Sequence, residues 1–132
     1  MAVVLILPIM LSRLLITTVI VFMAAPSLAV AADFAGKYAT HRGGYSQEAD
    51  IKAAADGSYE VGVYVGIEGC SGAFEGVGRI EGARLFAHLT EKDDACRLTI
   101  SRTATGIKID EDGCTAWHGP SCDFNGTLRK RR

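Results

Sequence analysis

From residue 33 onward, apolar and polar residues alternate with a period of two, and turn residues cut the alternation every few positions. That period places successive side chains on opposite faces of a strand. Phe34 to Thr40 is expected as a short first strand. In Gln47 to Ala54, the residues Ala49, Ile51 and Ala53 share a face. Asp56-Gly57 is a hairpin turn, and Tyr59, Val61, Val63 and Val65 share the face beyond it. A glycine-rich break, Glu68-Gly69-Cys70-Ser71-Gly72, precedes a strand from Phe74 to Ile80. Glu81-Gly82 turns the chain into Ala83, Leu85, Ala87 and Leu89. After the charged stretch Glu91-Lys92-Asp93-Asp94, Leu98 and Ile100 alternate, then Ile107 and Ile109 past Thr105-Gly106. Phe124 and Leu128 belong to the last strand. Glycine recurs too often for a stable helix, and no βαβ rhythm is present.

The pattern predicts an all-β fold: a single antiparallel meander of about eight short strands closed as a small barrel or a flattened sandwich. Eight strands enclose a space just wide enough for side chains, which leaves little room for a guest. The basic tail Arg129-Lys130-Arg131-Arg132 reads as a solvated end that blunts an edge strand. Alternate connections of a meander lie at the same end. The turns at 55–58, 81–82 and 103–106 share one end, and the connections at 40–46, 66–72, 91–95 and 110–122 share the other. The second end collects His41, Arg42, Glu68, Asp93, Asp94, Asp110, Glu111, Asp112, Trp117 and His118, and all four cysteines lie in or beside it.

The first 32 residues carry a different pattern. Leu14 to Met23 is apolar except for Thr17 and Thr18, Arg13 precedes it, and Ala29-Val30-Ala31 supplies small residues at signal-peptidase spacing. These are the parts of a secretory signal peptide. The competing reading is a membrane anchor, since Ala2 to Met23 is nearly long enough to span. Met10 offers an alternative start with an ordinary n-region, and no cysteine near the cleavage site suggests a lipoprotein. The domains are therefore 1–32, signal peptide, and 33–132, one disulfide-stapled β domain of about 100 residues. Contact with the membrane is expected only during export, and the mature chain is placed in the periplasm or secreted.

All 15 acidic residues and all but one of the 14 basic residues follow residue 32, so the mature part is close to neutral. That balance argues against nucleic acid as a partner. Cys70, Cys96, Cys114 and Cys122 make an even number in a short exported chain, which reads as two disulfides. A zinc site with His118 is the rival, weakened by the lack of any Cys-x-x-Cys pair. Cys70–Cys96 with Cys114–Cys122 is the favoured pairing, the second bridge closing a short loop that displays the single tryptophan, Trp117. Cys96–Cys114 with Cys70–Cys122 is the alternative, because a 97–112 hairpin also sets Cys96 opposite Cys114. Trp117 is then either an exposed anchor or a plug over the end of the barrel.

No catalytic signature is present: neither Gly-x-Ser-x-Gly nor His-Glu-x-x-His occurs. A Ser71–His118–Asp triad can be assembled from the loops, but nothing in the spacing selects it. No cofactor or metal is expected. Gly113-Cys114, Trp117-His118-Gly119, Cys122 and Phe124-x-Gly126-Thr127 resemble small exported bacterial domains related to lysozyme inhibitors, including the C-terminal domains of LprI-type proteins, over about residues 60–130. Periplasmic inhibitors of c-type lysozyme, likewise small disulfide-stapled barrels, carry a Ser-Gly-x-x-Tyr loop. Ser71-Gly72-Ala73-Phe74-Glu75 has its Ser-Gly, with Glu75 at the tyrosine position. The resemblance implies a non-enzymatic binding protein with a protein partner, lysozyme being the candidate. Trp117 and His118 would contact that partner, and Asp93, Asp94, Asp110, Glu111 and Asp112 would steer a cationic surface. A small-ligand or envelope-surface binding barrel is the second reading, and a minor hydrolase the third.

The export signal is directly testable. N-terminal sequencing of the secreted protein should find a start between Val30 and Asp33; a mature form that keeps Leu14 to Met23 would contradict it.

Overall fold

The structure is a computed structural model that describes residues 33–90 and 95–132. The signal-peptide reading, Asp93 and Asp94 lie outside the described residues. Eight strands follow one another in chain order: β1 (Gly36–Arg42), β2 (Tyr45–Ala53), β3 (Tyr59–Ile67), β4 (Cys70–Glu81), β5 (Arg84–Leu89), β6 (Arg97–Arg102), β7 (Gly106–Asp112) and β8 (Gly126–Lys130). Each pairs antiparallel with the next, and β8 pairs with β1, so the sheet closes as a barrel rather than a flattened sandwich.

The inward faces are those that the alternation predicts. Val61, Val63 and Val65 of β3, Leu85, Ala87 and Leu89 of β5, Leu98 and Ile100 of β6, and Ile107 and Ile109 of β7 are all buried. Fully burying one such side chain stabilises by about 1.5–3 kcal/mol. Ala53, expected inward, is exposed at the end of β2, where the wall gives way to the Asp56-Gly57 turn. In that turn the Asp56 carboxylate accepts both the backbone N–H and the hydroxyl of Ser58.

Three departures from the expected strands matter. Phe34 is not part of β1; its side chain is fully buried, its ring meets Tyr59 edge-on, and its carbonyl accepts the Tyr38 hydroxyl. It therefore closes the end where β1 begins. Arg129 and Lys130 are not a solvated tail beside an edge. They lie in β8 and pair with Ala39 and Tyr38, while Arg131 donates its backbone N–H to Lys37. A closed barrel leaves no edge to blunt. Finally, the expected glycine-rich break is only the two-residue turn Glu68-Gly69, with Gly69 at φ +79°, and β4 starts at Cys70. The reason is register: Ile67 pairs with Cys70 and Val65 with Gly72, so the hairpin zips to its tip.

The disulfides are Cys96–Cys114 and Cys70–Cys122. The favoured sequence pairing, Cys70–Cys96 with Cys114–Cys122, is thus corrected. In the β6–β7 hairpin Arg97 pairs with Asp112, which brings Cys96 and Cys114 to a Cα–Cα distance of 4.3 Å. All four thiols are oxidised, so none is left to bind zinc.

Gly76 of β4 faces inward, and a Cβ there would lie 2.0 Å from the His88 carbonyl oxygen of β5. Gly-to-Ala changes stabilise by about 0.4–1 kcal/mol where the backbone tolerates them. Gly76→Ala should instead destabilise by about 1–3 kcal/mol, the cost of overpacking. A melting temperature at or above that of the parent protein would contradict this approach of the two strands.

Candidate functional site

The barrel places four connections at the cysteine end: 43–44 between β1 and β2, 68–69 between β3 and β4, the one that joins β5 to β6, and 113–125 between β7 and β8. The first two are tight turns. The fourth is the longest, and its course decides what this end can do. At Gly113 the chain leaves β7 at φ +69°, and Cys114 is held by Cys96. Trp117 then closes a turn by donating its N–H to the Cys114 carbonyl at 2.8 Å.

Beyond that turn the segment runs beside β4. Strand β5 pairs with β4 only from Gly76 to Glu81, leaving residues 70–75 without a strand partner on that side. The Ala73 N–H donates to the Trp117 carbonyl at 3.3 Å, and the Gly119 N–H to the Ser71 carbonyl at 3.1 Å. Gly72 and His118 face each other across this bridge. Contact is so close that a Cβ at Gly72 would sit 2.5 Å from the His118 Cβ. Cys122 then reaches Cys70 at the start of β4, with the Cα atoms 6.0 Å apart.

What fills the mouth of the barrel is Phe124 and His118. Phe124 is fully buried and stands edge-on to both Phe74 and His118. The His118 and Glu111 side chains are only 7% and 12% exposed. His118 Nε2 lies 3.0 Å from Glu111 Oε1, and Nδ1 lies 2.7 Å from the Gly119 carbonyl oxygen. Glu111 Oε2 accepts the Phe124 N–H at 2.8 Å, and the Glu111 N–H donates to Asn125 Oδ1. Burial pushes the His118 pKa down, but the Gly119 carbonyl, the Glu111 carboxylate and the charge of Asp123 outweigh it and leave it raised above 6.5. From β2, the fully buried Gln47 donates its Nε2 hydrogen to the Phe124 carbonyl at 2.6 Å and accepts the Tyr45 hydroxyl.

The expected site residues separate into two groups. Trp117 is half-buried against the core and borders a depression of about 180 Å³ with Ala73, Glu75, Leu89 and Thr90. It lies at the rim and is not the plug. Asp110 and Asp112 are exposed, Asp110 within 2.8 Å of Lys108 Nζ. His41, Arg42 and Glu68 are also exposed at this end. His118 and Glu111, expected on the binding surface, are turned inward and bonded to the segment itself. Both His118 ring nitrogens are engaged there, so no Ser71–His118 pair forms. Gln47 was not among the expected site residues. Its signal was a polar residue at an inward position of an alternating strand, which implies a buried partner. A second cleft of about 420 Å³ lies at the same end, lined by Thr40, Arg42, Tyr45, Asp123, Asn125 and Thr127 among others.

No family model, curated protein or solved structure matches this chain. Among the described residues, no group of three or more His, Cys, Asp or Glu side chains is placed to hold a metal ion.

The assignment of plug and rim is open to a stability comparison. Phe124→Ala should cost about 3–5 kcal/mol, whereas Trp117→Ala, removing a half-buried ring, should cost about 1–2 kcal/mol. The reverse order would make Trp117 the plug.

Proposed function

We propose that the protein is a non-enzymatic binding protein of the periplasm or the secreted space. Its disulfide-stapled end docks a protein partner, and a c-type lysozyme is the candidate. The observation that carries this reading is the filled barrel. Phe34 occupies one end, Phe124 and His118 the other, and inward side chains fill the space between. A guest has no room inside, which favours binding on the outer surface and weakens the small-ligand reading.

The cysteine end suits that task. Residues 114–122 are tied at both ends by disulfides and bonded to β4 at Trp117 and Gly119, so docking orders little that is not already ordered. Two of the stretches behind the lysozyme-inhibitor resemblance, Ser71-Gly72 and Trp117-His118-Gly119, are hydrogen-bonded neighbours here. Glu75 stands at the tyrosine position of the inhibitor motif, and the 44%-exposed Tyr64 of β3 donates its hydroxyl to it at 2.7 Å. Trp117 is the aromatic anchor at the rim. Asp110 and Asp112, with Asp93 and Asp94 in the sequence between β5 and β6, supply negative charge for a cationic partner.

A lysozyme turbidity assay tests the proposal. A molar excess of the protein should slow lysis by a c-type lysozyme. Trp117→Ala should weaken binding by about 2 kcal/mol or more, roughly 30-fold. Asp110→Asn with Asp112→Asn should lower the association rate mainly at low salt. Undiminished lysis at a large excess of the protein in low salt would exclude lysozyme as the partner.

A further inference from the structure

The two contacts of the His118 ring are chemically unusual as a pair. Gly119 offers a carbonyl oxygen and Glu111 a carboxylate oxygen, and both are acceptors. A neutral imidazole carries one N–H and one lone pair, so it satisfies one of these partners and sets a lone pair against the other. The imidazolium satisfies both. The surroundings favour the same form. Glu111 faces the ring from β7, and Asp123 acts on it from the connecting segment. Gly72 of β4 lies against His118 with uncharged backbone, and Phe124 meets the ring edge-on.

We propose that His118 and Glu111 form a proton-operated latch, in which charged His118 holds the 115–121 flap down on the mouth of the barrel and its deprotonation releases that flap. The two disulfides limit the release. Cys114 stays bound to Cys96 and Cys122 to Cys70, so the flap lifts between fixed points while the eight strands stay paired. Trp117 rides on the flap, next in sequence to His118, and moves with it. Loss of the proton also loosens the bridge from Trp117 and Gly119 to β4, since both hydrogen bonds flank His118.

The sign follows from the direction of the shift. The His118 pKa is raised in the folded protein. The latch therefore contributes fully below the ordinary histidine value of about 6.5, and its contribution is lost as the pH rises through the higher folded value. The flap is closed below the ordinary histidine value and loosened once the pH has risen past the folded one. This holds whatever partner the end of the barrel docks.

The test is a titration of the purified protein from about pH 5 to about pH 10, read by imidazole nitrogen NMR and by fluorescence of the single tryptophan. Below the midpoint, both His118 nitrogens should carry protons, and the midpoint should lie above 6.5. Trp117 emission should change with the same midpoint while far-ultraviolet circular dichroism stays constant. His118→Gln should abolish the fluorescence step, and Glu111→Gln should lower the His118 midpoint. A single neutral tautomer at pH 6.5, or a Trp117 signal indifferent to the His118 titration, would overturn the latch even if neither variant folds.

Discussion

The structure turns on an unfinished strand. β4 is longer than β5 can cover, so the backbone groups of residues 70–75 face the cysteine end without a strand on one side. Backbone groups left bare on a sheet cost stability and invite pairing with other chains. Residues 117–119 answer that constraint, and most features of this end follow from the answer. Once the segment lies against β4, Cys122 is carried to Cys70, His118 is turned towards Glu111, and Phe124 is delivered into the mouth of the barrel. The disulfide Cys70–Cys122 joins positions 52 residues apart in sequence, but in space it fastens a contact that the strand edge already requires.

The plug is also held by polar groups, and this gives it a single seating. Phe124 alone could fill the mouth in several orientations. Its N–H is fixed by Glu111 from β7 and its carbonyl by Gln47 from β2. A network of buried hydrogen bonds drawn from separate elements is satisfied by one arrangement and penalised in others. Among the described residues no buried side-chain nitrogen or oxygen lacks a partner. The end of the barrel is thus a solid platform, which is what an outer-surface binding role needs and what an internal ligand site would lack.

Much of the barrel was legible in the alternation of residues, because a wall one strand thick has only an inside and an outside. The valines of β3 and the pairs Leu98 with Ile100 and Ile107 with Ile109 follow that rule. What the alternation could not convey was anything that depends on a contact distant in sequence. The favoured disulfides assumed that Cys114 and Cys122 close their own loop; in fact each is drawn to a different strand. Phe34 reads as a strand residue until Tyr59 is known to be its neighbour. At the candidate site, counting connections grouped the cysteine-bearing segments at one end, as the barrel does, but did not convey which contacts its side chains make there. Glu111 continues the inward face of Ile107 and Ile109, so its direction was legible in the alternation, whereas its partners, His118 and the Phe124 N–H, depend on the fold.

The central claim is that residues 117–119, with His118 charged, are hydrogen-bonded to the free edge of β4 and seat Phe124 in the mouth of the barrel. Amide hydrogen exchange tests this most directly. The amides of Ala73, Gly119 and Phe124, bonded to Trp117, Ser71 and Glu111, should exchange at about pH 6, below the ordinary histidine value, as slowly as those of the β3–β4 ladder. Exchange of these three amides at the rate of an unstructured chain, with the β3–β4 ladder still protected, would contradict it.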